Sequence, residues 1–96
     1  MNRLARHEAA QRYSRLLREA SGARTLSFST TEVVDYLCID SNGCMAVEIK
    51  TGSSHLSKRQ RAWCAYPALP TVVETWYWES PQGWTLAKEV YYAPAK

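Results

Sequence analysis

The sequence contains no long apolar run, no internal repeat and no low-complexity segment. No stretch approaches the roughly 18 apolar residues that a membrane-spanning helix requires, which excludes a helical membrane protein. The basic N-terminus is not followed by the apolar core of a signal peptide, so secretion is not expected. We therefore predict a protein that stays inside a cell, in the cytoplasm of its own organism or, if it is viral, of its host.

Cysteine is also scarce. The three cysteines, Cys38, Cys44 and Cys64, are an odd number and lack the spacing of a zinc site. Two fall in apolar stretches and one follows Trp63, so we expect small buried hydrophobic side chains. Cys38 and Cys44 could approach each other across a predicted hairpin, but a disulfide is the lesser alternative because an intracellular setting disfavours it.

The chain does contain enough apolar residues for one small core, and its charge is unevenly distributed. Its 96 residues are 46% hydrophobic, which predicts a single domain spanning residues 1–96. The net charge is only +3, but residues 1–24 hold six arginines against two glutamates, and residues 50–61 hold four basic residues and no acid. These two basic segments predict a surface that holds a polyanion; a basic surface kept for solubility is the alternative.

Residues 34–50 are predicted to form a β-hairpin. Two apolar runs rich in β-branched residues flank a turn that contains Asn42-Gly43, a strong hairpin signal. If Asn42 and Gly43 are the two loop residues, Ser41 faces Cys44 and the two strands run outward from that pair.

Three charged side chains are expected on one face of this hairpin. Counting outward from the loop places Asp35 opposite Lys50, with Glu48 as a diagonal neighbour. Opposed residues share a face, and Glu48 and Lys50 are two positions apart on one strand, so all three side chains should point the same way. We expect a one-residue error in the placement of the turn to break this arrangement by turning every side chain to the other face.

This charge cluster is typical of a metal site. Two carboxylates on one face repel each other, and partial burial raises their pKa values. A bound divalent cation removes both problems, and oxygen ligands suit Mg²⁺ or Mn²⁺ rather than zinc. The ion could hold a phosphate and activate a water, with Lys50 orienting the nucleophile or stabilising developing charge. The alternative is an ion-paired cluster on a solvated sheet face, in which Lys50 only neutralises its neighbours.

Residues 2–21 are predicted to form the first helix, which ends before Gly22. Glu8 lies at the border of its apolar stripe, from which it could reach the sheet edge as a third carboxylate; a pair with Arg12 is the alternative. His7 falls on the opposite, exposed face and is expected to be solvated only. Apolar residues at three- and four-residue spacing predict the packed face: Ala5, Ala9, Tyr13, Leu16, Leu17 and Ala20.

Three strands and a second helix complete the prediction. Residues 24–30 alternate in polarity and predict a half-buried strand with Leu26 and Phe28 on one side. Ser57 is expected to cap a helix over residues 58–66, whose packed side carries Gln60, in position for a hydrogen bond to the hairpin or the site.

Residues 71–79 and 84–92 are the last two predicted strands, and aromatic side chains crowd them. We expect these aromatics to serve the core and a dimer contact, with stacking on nucleic-acid bases as the alternative.

The order of helix, strand, hairpin, helix and strand resembles the PD-(D/E)XK nuclease fold over roughly residues 5–78. The likeness is strongest to the small stand-alone VRR-NUC nucleases, whose pattern has an Asp, then Glu-x-Lys, a loop with glycine and a Leu-Ser-x-x-Gln helix start. This chain has Asp35, then Val47-Glu48-Ile49-Lys50-Thr51-Gly52 and Leu56-Ser57-Lys58-Arg59-Gln60.

The match has one departure and one more distant parallel. Val34 stands where family members usually have proline, which leaves Glu32 and Asp40 as alternative acids. The archaeal Holliday-junction resolvases share the core and use a glutamate from the first helix, which Glu8 would match.

The resemblance implies an α/β protein with a restriction-endonuclease-like core, a mixed β-sheet flanked by helices. It also implies hydrolysis of DNA phosphodiesters with Mg²⁺ (or Mn²⁺). Asp35, Glu48 and the Ile49 carbonyl would hold the metal. Lys50 would position the attacking water, and Gln60 would brace the site.

The same resemblance implies a homodimer that presents two sites to branched or structured DNA, including Holliday junctions, with no membrane partner. A catalytically inactive nucleic-acid-binding module, or a protein-interaction module on the same fold, is the alternative function. Contacts to nucleic acid are expected from the two basic segments: Arg12, Arg15, Ser54, His55, Lys58 and Arg59.

Overall fold

The computed structural model describes residues 2–28, 33–52 and 54–94. In chain order, the elements are α1 (Arg3–Ala20), β1 (Arg24–Ser27), β2 (Tyr36–Asp40), β3 (Gly43–Thr51), α2 (Lys58–Ala65), β4 (Thr71–Glu79) and β5 (Gly83–Tyr92).

The five strands form one mixed sheet in the order β1-β2-β3-β4-β5. Neighbouring strands are antiparallel except β3 and β4, which are parallel and joined through α2. A parallel pair requires such a crossover, because a short turn can only reverse the chain. The predicted α/β protein with a mixed sheet and helices is confirmed.

The hairpin of β2 and β3 has a different register from the predicted one. Asp40 pairs with Gly43 and Ile39 with Cys44, so the loop residues are Ser41 and Asn42. The Asp40 carboxylate accepts a hydrogen bond of 2.7 Å from the Asn42 backbone N–H, a local turn that competes with an Asn-Gly loop.

The predicted opposition of Asp35 and Lys50 is therefore wrong. Moving a two-residue loop by one position changes the pairing by two residues, and a shift of two keeps every side chain on its face. The register instead brings Asp35 beside Glu48, just beyond the last pair of Tyr36 with Val47.

Helix α1 covers Arg3–Ala20, within one residue of each predicted end, and Gly22 follows its end as predicted. The Asn2 side chain accepts a hydrogen bond of 2.8 Å from the Ala5 N–H, which satisfies one of the free donors of the first turn. At the other end, Gly22 has a φ of +99°, a conformation that ends the helix readily because glycine has no Cβ.

The packed face of α1 is the opposite of the predicted one. Leu16 is 56% exposed and Leu17 is 47% exposed, while Ala10 and Ser14 are buried against the sheet. The face toward the sheet is polar because the sheet beneath it contains buried polar groups, including Glu74, that need hydrogen-bond partners. Hydrophobic periodicity could not show this.

The core lies between α1 and the sheet and contains Tyr36, Val47, Ile49, Val72 and Trp76. All three cysteines are free; Cys38 and Cys64 are buried as predicted, and Cys44 is half-buried. Within residues 2–28, 33–52 and 54–94, no helix is long and apolar enough to cross a membrane.

Strand β1 is shorter and more exposed than predicted. It ends at Ser27, and Leu26 is 55% exposed. The prediction that Leu26 lies on the buried side of this strand is therefore wrong. The predicted residues 29 and 30 of this strand lie outside the described residues. The strand over residues 71–79 is confirmed, and β5 begins one residue earlier than predicted, at Gly83.

Candidate functional site

The charge cluster lies where β3 continues past the start of β2. The β2 strand begins at Tyr36, so Glu48 and Lys50 extend beyond it while still pairing with β4 on the other side. Asp35 precedes β2 and is fixed against β3: its backbone N–H donates to the Val47 carbonyl at 2.9 Å. Its Oδ2 atom accepts from the Ile49 N–H at 2.7 Å, which holds the carboxylate beside Glu48.

Helix α1 adds His7 to this cluster. The Nε2 atom of His7 lies 3.3 Å from Oδ2 of Asp35 and 3.2 Å from the Ile49 carbonyl oxygen, to which it donates. The side chain is 27% exposed, so the prediction of a merely solvated histidine is wrong. His7, Ala10 and Ser14 lie at three- and four-residue spacing and therefore share one face of α1. The sequence alone does not show that this face meets the sheet, so the spacing could not predict that His7 joins the cluster.

Helix α2 closes the other side through Gln60. Its Nε2 atom donates to Oε1 of Glu48 at 2.9 Å, and its Oε1 atom accepts from the Lys50 ammonium at 2.8 Å. The same amide completes a capping box with Ser57 at the start of α2, which fixes its position. The predicted cap and the predicted hydrogen bond of Gln60 to the site are both confirmed.

Glu48 is the most perturbed acid of the cluster. It is only 4% exposed. Burial, together with repulsion from Asp35, raises the pKa of Glu48 from 4.5 to about 9, although Lys50 opposes this shift. The Lys50 ammonium lies 3.7 Å from Oε1 of Glu48, within ion-pair distance, but burial and Asp35 outweigh its attraction. The hydrogen bond to Asp35 raises the pKa of His7 as well.

This shift predicts how stability depends on pH when no metal is present. Between pH 4.5 and about 9, folded Glu48 keeps a proton that the unfolded chain has released. The folded state then binds more protons, so the free energy of unfolding should fall as pH rises through this range. Urea denaturation in EDTA at about pH 6 and about pH 8.5 measures this difference in the free energy of unfolding.

In Glu48→Gln the difference between the two pH values should shrink, because the titrating group is gone. Glu79→Gln, at the exposed end of β4, should keep the wild-type difference. An unchanged difference in Glu48→Gln would contradict the assignment of the shift to this carboxyl.

Three side chains offer ligand atoms to a metal ion. Atoms of His7, Asp35 and Glu48 all lie within 4.8 Å of one another. The Ile49 carbonyl oxygen, the fourth predicted ligand, accepts a hydrogen bond from Nε2 of His7, so that nitrogen can bind an ion only after it has released its proton. One nitrogen, two carboxylates and a carbonyl oxygen are a donor set that suits Mn²⁺ or Mg²⁺, so the residues present fit such an ion.

Glu8 does not belong to this compact group. It is exposed on α1 and lines the cavity beside the cluster, so its role as a third carboxylate stays a prediction. Of the alternative acids, Asp40 lies at the far end of β2 beside the hairpin loop, and Glu32 lies outside the described residues. Asp35 is therefore the acid that the fold brings to Glu48.

The residues predicted to contact nucleic acid fall into two groups. Arg12 and Arg15 line the cavity beside the cluster. The others surround the start of α2: Ser54 hydrogen-bonds the Thr51 backbone, whereas His55, Lys58 and Arg59 are exposed.

Comparisons with known proteins leave this site without a precedent by similarity. No protein-family model, no curated protein and no solved structure matches the chain. The geometry and chemistry of the cluster are therefore the basis for a proposed function.

Proposed function

We propose that this protein is a metal-dependent endodeoxyribonuclease with a PD-(D/E)XK core of the restriction-endonuclease type. The observation that carries the proposal is the cluster itself. Asp35 and the buried Glu48 face each other beside Lys50 and His7, an arrangement that is unfavourable without a cation and suited to phosphodiester hydrolysis with one.

The order of the elements supports the proposed core. A helix precedes a hairpin whose second strand carries Glu48 and Lys50, and a crossover helix returns the chain to a parallel neighbour. Gln60 at the start of that helix contacts both charged residues. These are the positions that the resemblance to the VRR-NUC nucleases implies for the site.

Each side chain has a definite role in the proposed reaction. Asp35, Glu48, His7 and the Ile49 carbonyl would hold Mn²⁺ or Mg²⁺, which when bound supplies charge stabilisation to a phosphate and lowers the pKa of water. Lys50 orients the attacking water or stabilises charge that develops on the phosphate. Gln60 keeps the Lys50 ammonium and the Glu48 carboxylate in place through its two hydrogen bonds.

The His7 imidazole makes Mn²⁺ the better fit of the two ions, because nitrogen ligands favour Mn²⁺ over Mg²⁺. We expect His7→Ala to weaken Mn²⁺ binding on the order of 10- to 100-fold, as for other groups that orient or complete metal sites. Calorimetric titration with Mn²⁺ measures this directly. His55→Ala is the matched control, since His55 is the other histidine and is exposed in the loop before α2. Equal losses in both variants would contradict the role of His7.

Cleavage of labelled linear, flapped and four-way-junction DNA in Mg²⁺ or Mn²⁺ tests the activity. We expect cutting that EDTA abolishes and that Lys50→Ala loses, and the ranking of substrates tests the proposed preference for branched DNA. Binding without cutting in either metal would overturn the enzyme and leave a nucleic-acid-binding module on this fold. No DNA binding at all would favour a protein-interaction module.

The proposal includes a homodimer. Strand β5 forms one edge of the sheet, and Trp78 and Tyr91 on β4 and β5 are 55% and 64% exposed. Large exposed aromatic side chains are enriched at protein interfaces, which favours a contact between two copies here. Sedimentation equilibrium tests this contact. We expect the wild type to dimerise and Trp78→Ser to dimerise more weakly, and a monomer in both proteins would argue against the dimer.

A further inference from the structure

The cavity beside the charge cluster extends beyond the residues that a metal ion and a phosphate would contact. Its volume is about 470 Å³, within the range of roughly 300–1,000 Å³ typical of small-ligand pockets. It runs from Asp35 and Glu48 between α1 and the end of β1, where β2 has not yet begun. Part of its lining, including Phe28 and Leu4, offers no metal ligand.

This part of the lining includes an aromatic side chain. Phe28, directly after β1, lines the cavity and is 37% exposed, and its backbone N–H donates to the Asp35 carbonyl at 2.9 Å. This bond holds the backbone of Phe28 beside Asp35. Leu4 on α1 lines the same cavity and is 57% exposed. Aromatic rings with an open face stack on nucleic-acid bases, and such stacking contributes to binding without regard to sequence.

The α1 side of the cavity supplies positive charge and an amide. Arg12 and Arg15 line it one turn apart, and Nε of Arg15 donates to the Thr25 hydroxyl at 3.0 Å, which directs its guanidinium along β1. Arginines in this position suit backbone phosphates. Gln11, whose Nε2 atom donates to the Asp35 carbonyl oxygen at 3.5 Å, also lines the cavity.

We propose that this cavity binds the base of one unpaired nucleotide next to the scissile phosphate, stacked on Phe28 with Arg12 and Arg15 on the flanking phosphates. The proposal rests on the proposed nuclease and names its substrate class: DNA with single-stranded or unpaired nucleotides, as at flaps and junction branch points. A base inside a continuous duplex is stacked on its neighbours, and extracting it requires breaking that stacking and its base pair. An unpaired base enters at little cost.

Fluorescence anisotropy in EDTA tests the cavity without any cleavage. The probes are a labelled single-stranded oligonucleotide and a blunt duplex of the same sequence. We expect Phe28→Ala and Phe28→Leu to weaken single-strand binding at least about fivefold, the loss expected when one stacked base is released, and to leave duplex binding unchanged. Phe28→Trp, which keeps an aromatic ring, should retain binding.

Leu26→Ala is the matched control, because Leu26 is an exposed apolar residue two positions away that does not line this cavity. Equal single-strand affinity in the wild type, Phe28→Leu and Leu26→Ala would overturn the nucleotide site, even if metal-dependent cleavage were established. If single-strand binding depends on the Phe28 ring but the protein cuts no DNA, the nucleotide site is supported and the proposed nuclease is overturned. The two proposals can therefore fail separately.

Discussion

Asp35→Asn is expected to lose metal-dependent cleavage by about 10²–10³-fold or more, the scale of removing one group that stabilises the charged transition state. The substitution removes one negative charge from the cluster and keeps the size of the side chain. The amide oxygen can still accept the Ile49 N–H, so the local fold should survive. DNA binding in EDTA should be retained, since repulsion of phosphate by the carboxylate is relieved.

The measurement is the single-turnover cleavage rate in Mn²⁺ together with Mn²⁺ affinity by calorimetry. Asp40→Asn is the matched control, because Asp40 lies at the other end of the same strand and its hydrogen bond to the Asn42 N–H needs only an oxygen acceptor. Wild-type rates in both variants would remove Asp35 from the site. A loss in Asp40→Asn alone would make Asp40 the catalytic acid.

Arg18→Met is expected to destabilise the fold by about 3–5 kcal/mol, the cost of leaving a buried charge without its partner. Glu74 is 3% exposed, and its Oε2 atom accepts from Nη2 of Arg18 at 2.6 Å. Ser14 and the Trp76 indole also donate to Glu74, and Nε of Arg18 donates to the Tyr36 hydroxyl at 3.0 Å. Burial raises the pKa of Tyr36 to about 12, so the hydroxyl keeps its proton.

Chemical denaturation of the single and double variants measures this effect. Arg18→Met combined with Glu74→Met should recover much of the loss, because both charges are then absent and the replacements are apolar. Arg12→Met on the exposed side of the same helix should change stability by less than about 0.5 kcal/mol. A loss below about 1 kcal/mol in Arg18→Met would mean that the remaining donors satisfy Glu74 without Arg18.

Local patterns in the sequence were sufficient for most of the elements. The capping side chain of Ser57, the helix end at Gly22 and the strand over residues 71–79 depend on neighbours within a few positions, and all three predictions are confirmed. The shared face of Asp35, Glu48 and Lys50 was also predictable. The loop lies one residue from its predicted place, but that error moves the pairing by an even number of residues.

The sequence by itself therefore determined most of the elements and the charged face of the hairpin, because these follow from local geometry. Only the tertiary structure decided which face of α1 meets the sheet. Hydrophobic periodicity predicted the stripe of Leu16, but the buried carboxylate of Glu74 requires Ser14 and Arg18 on the inside. That choice rotates His7 into the charge cluster. The buried Glu74 carboxylate thus fixes the orientation of α1 through Arg18, which lies more than fifty residues away in the sequence. No local sequence pattern contains such a pairing.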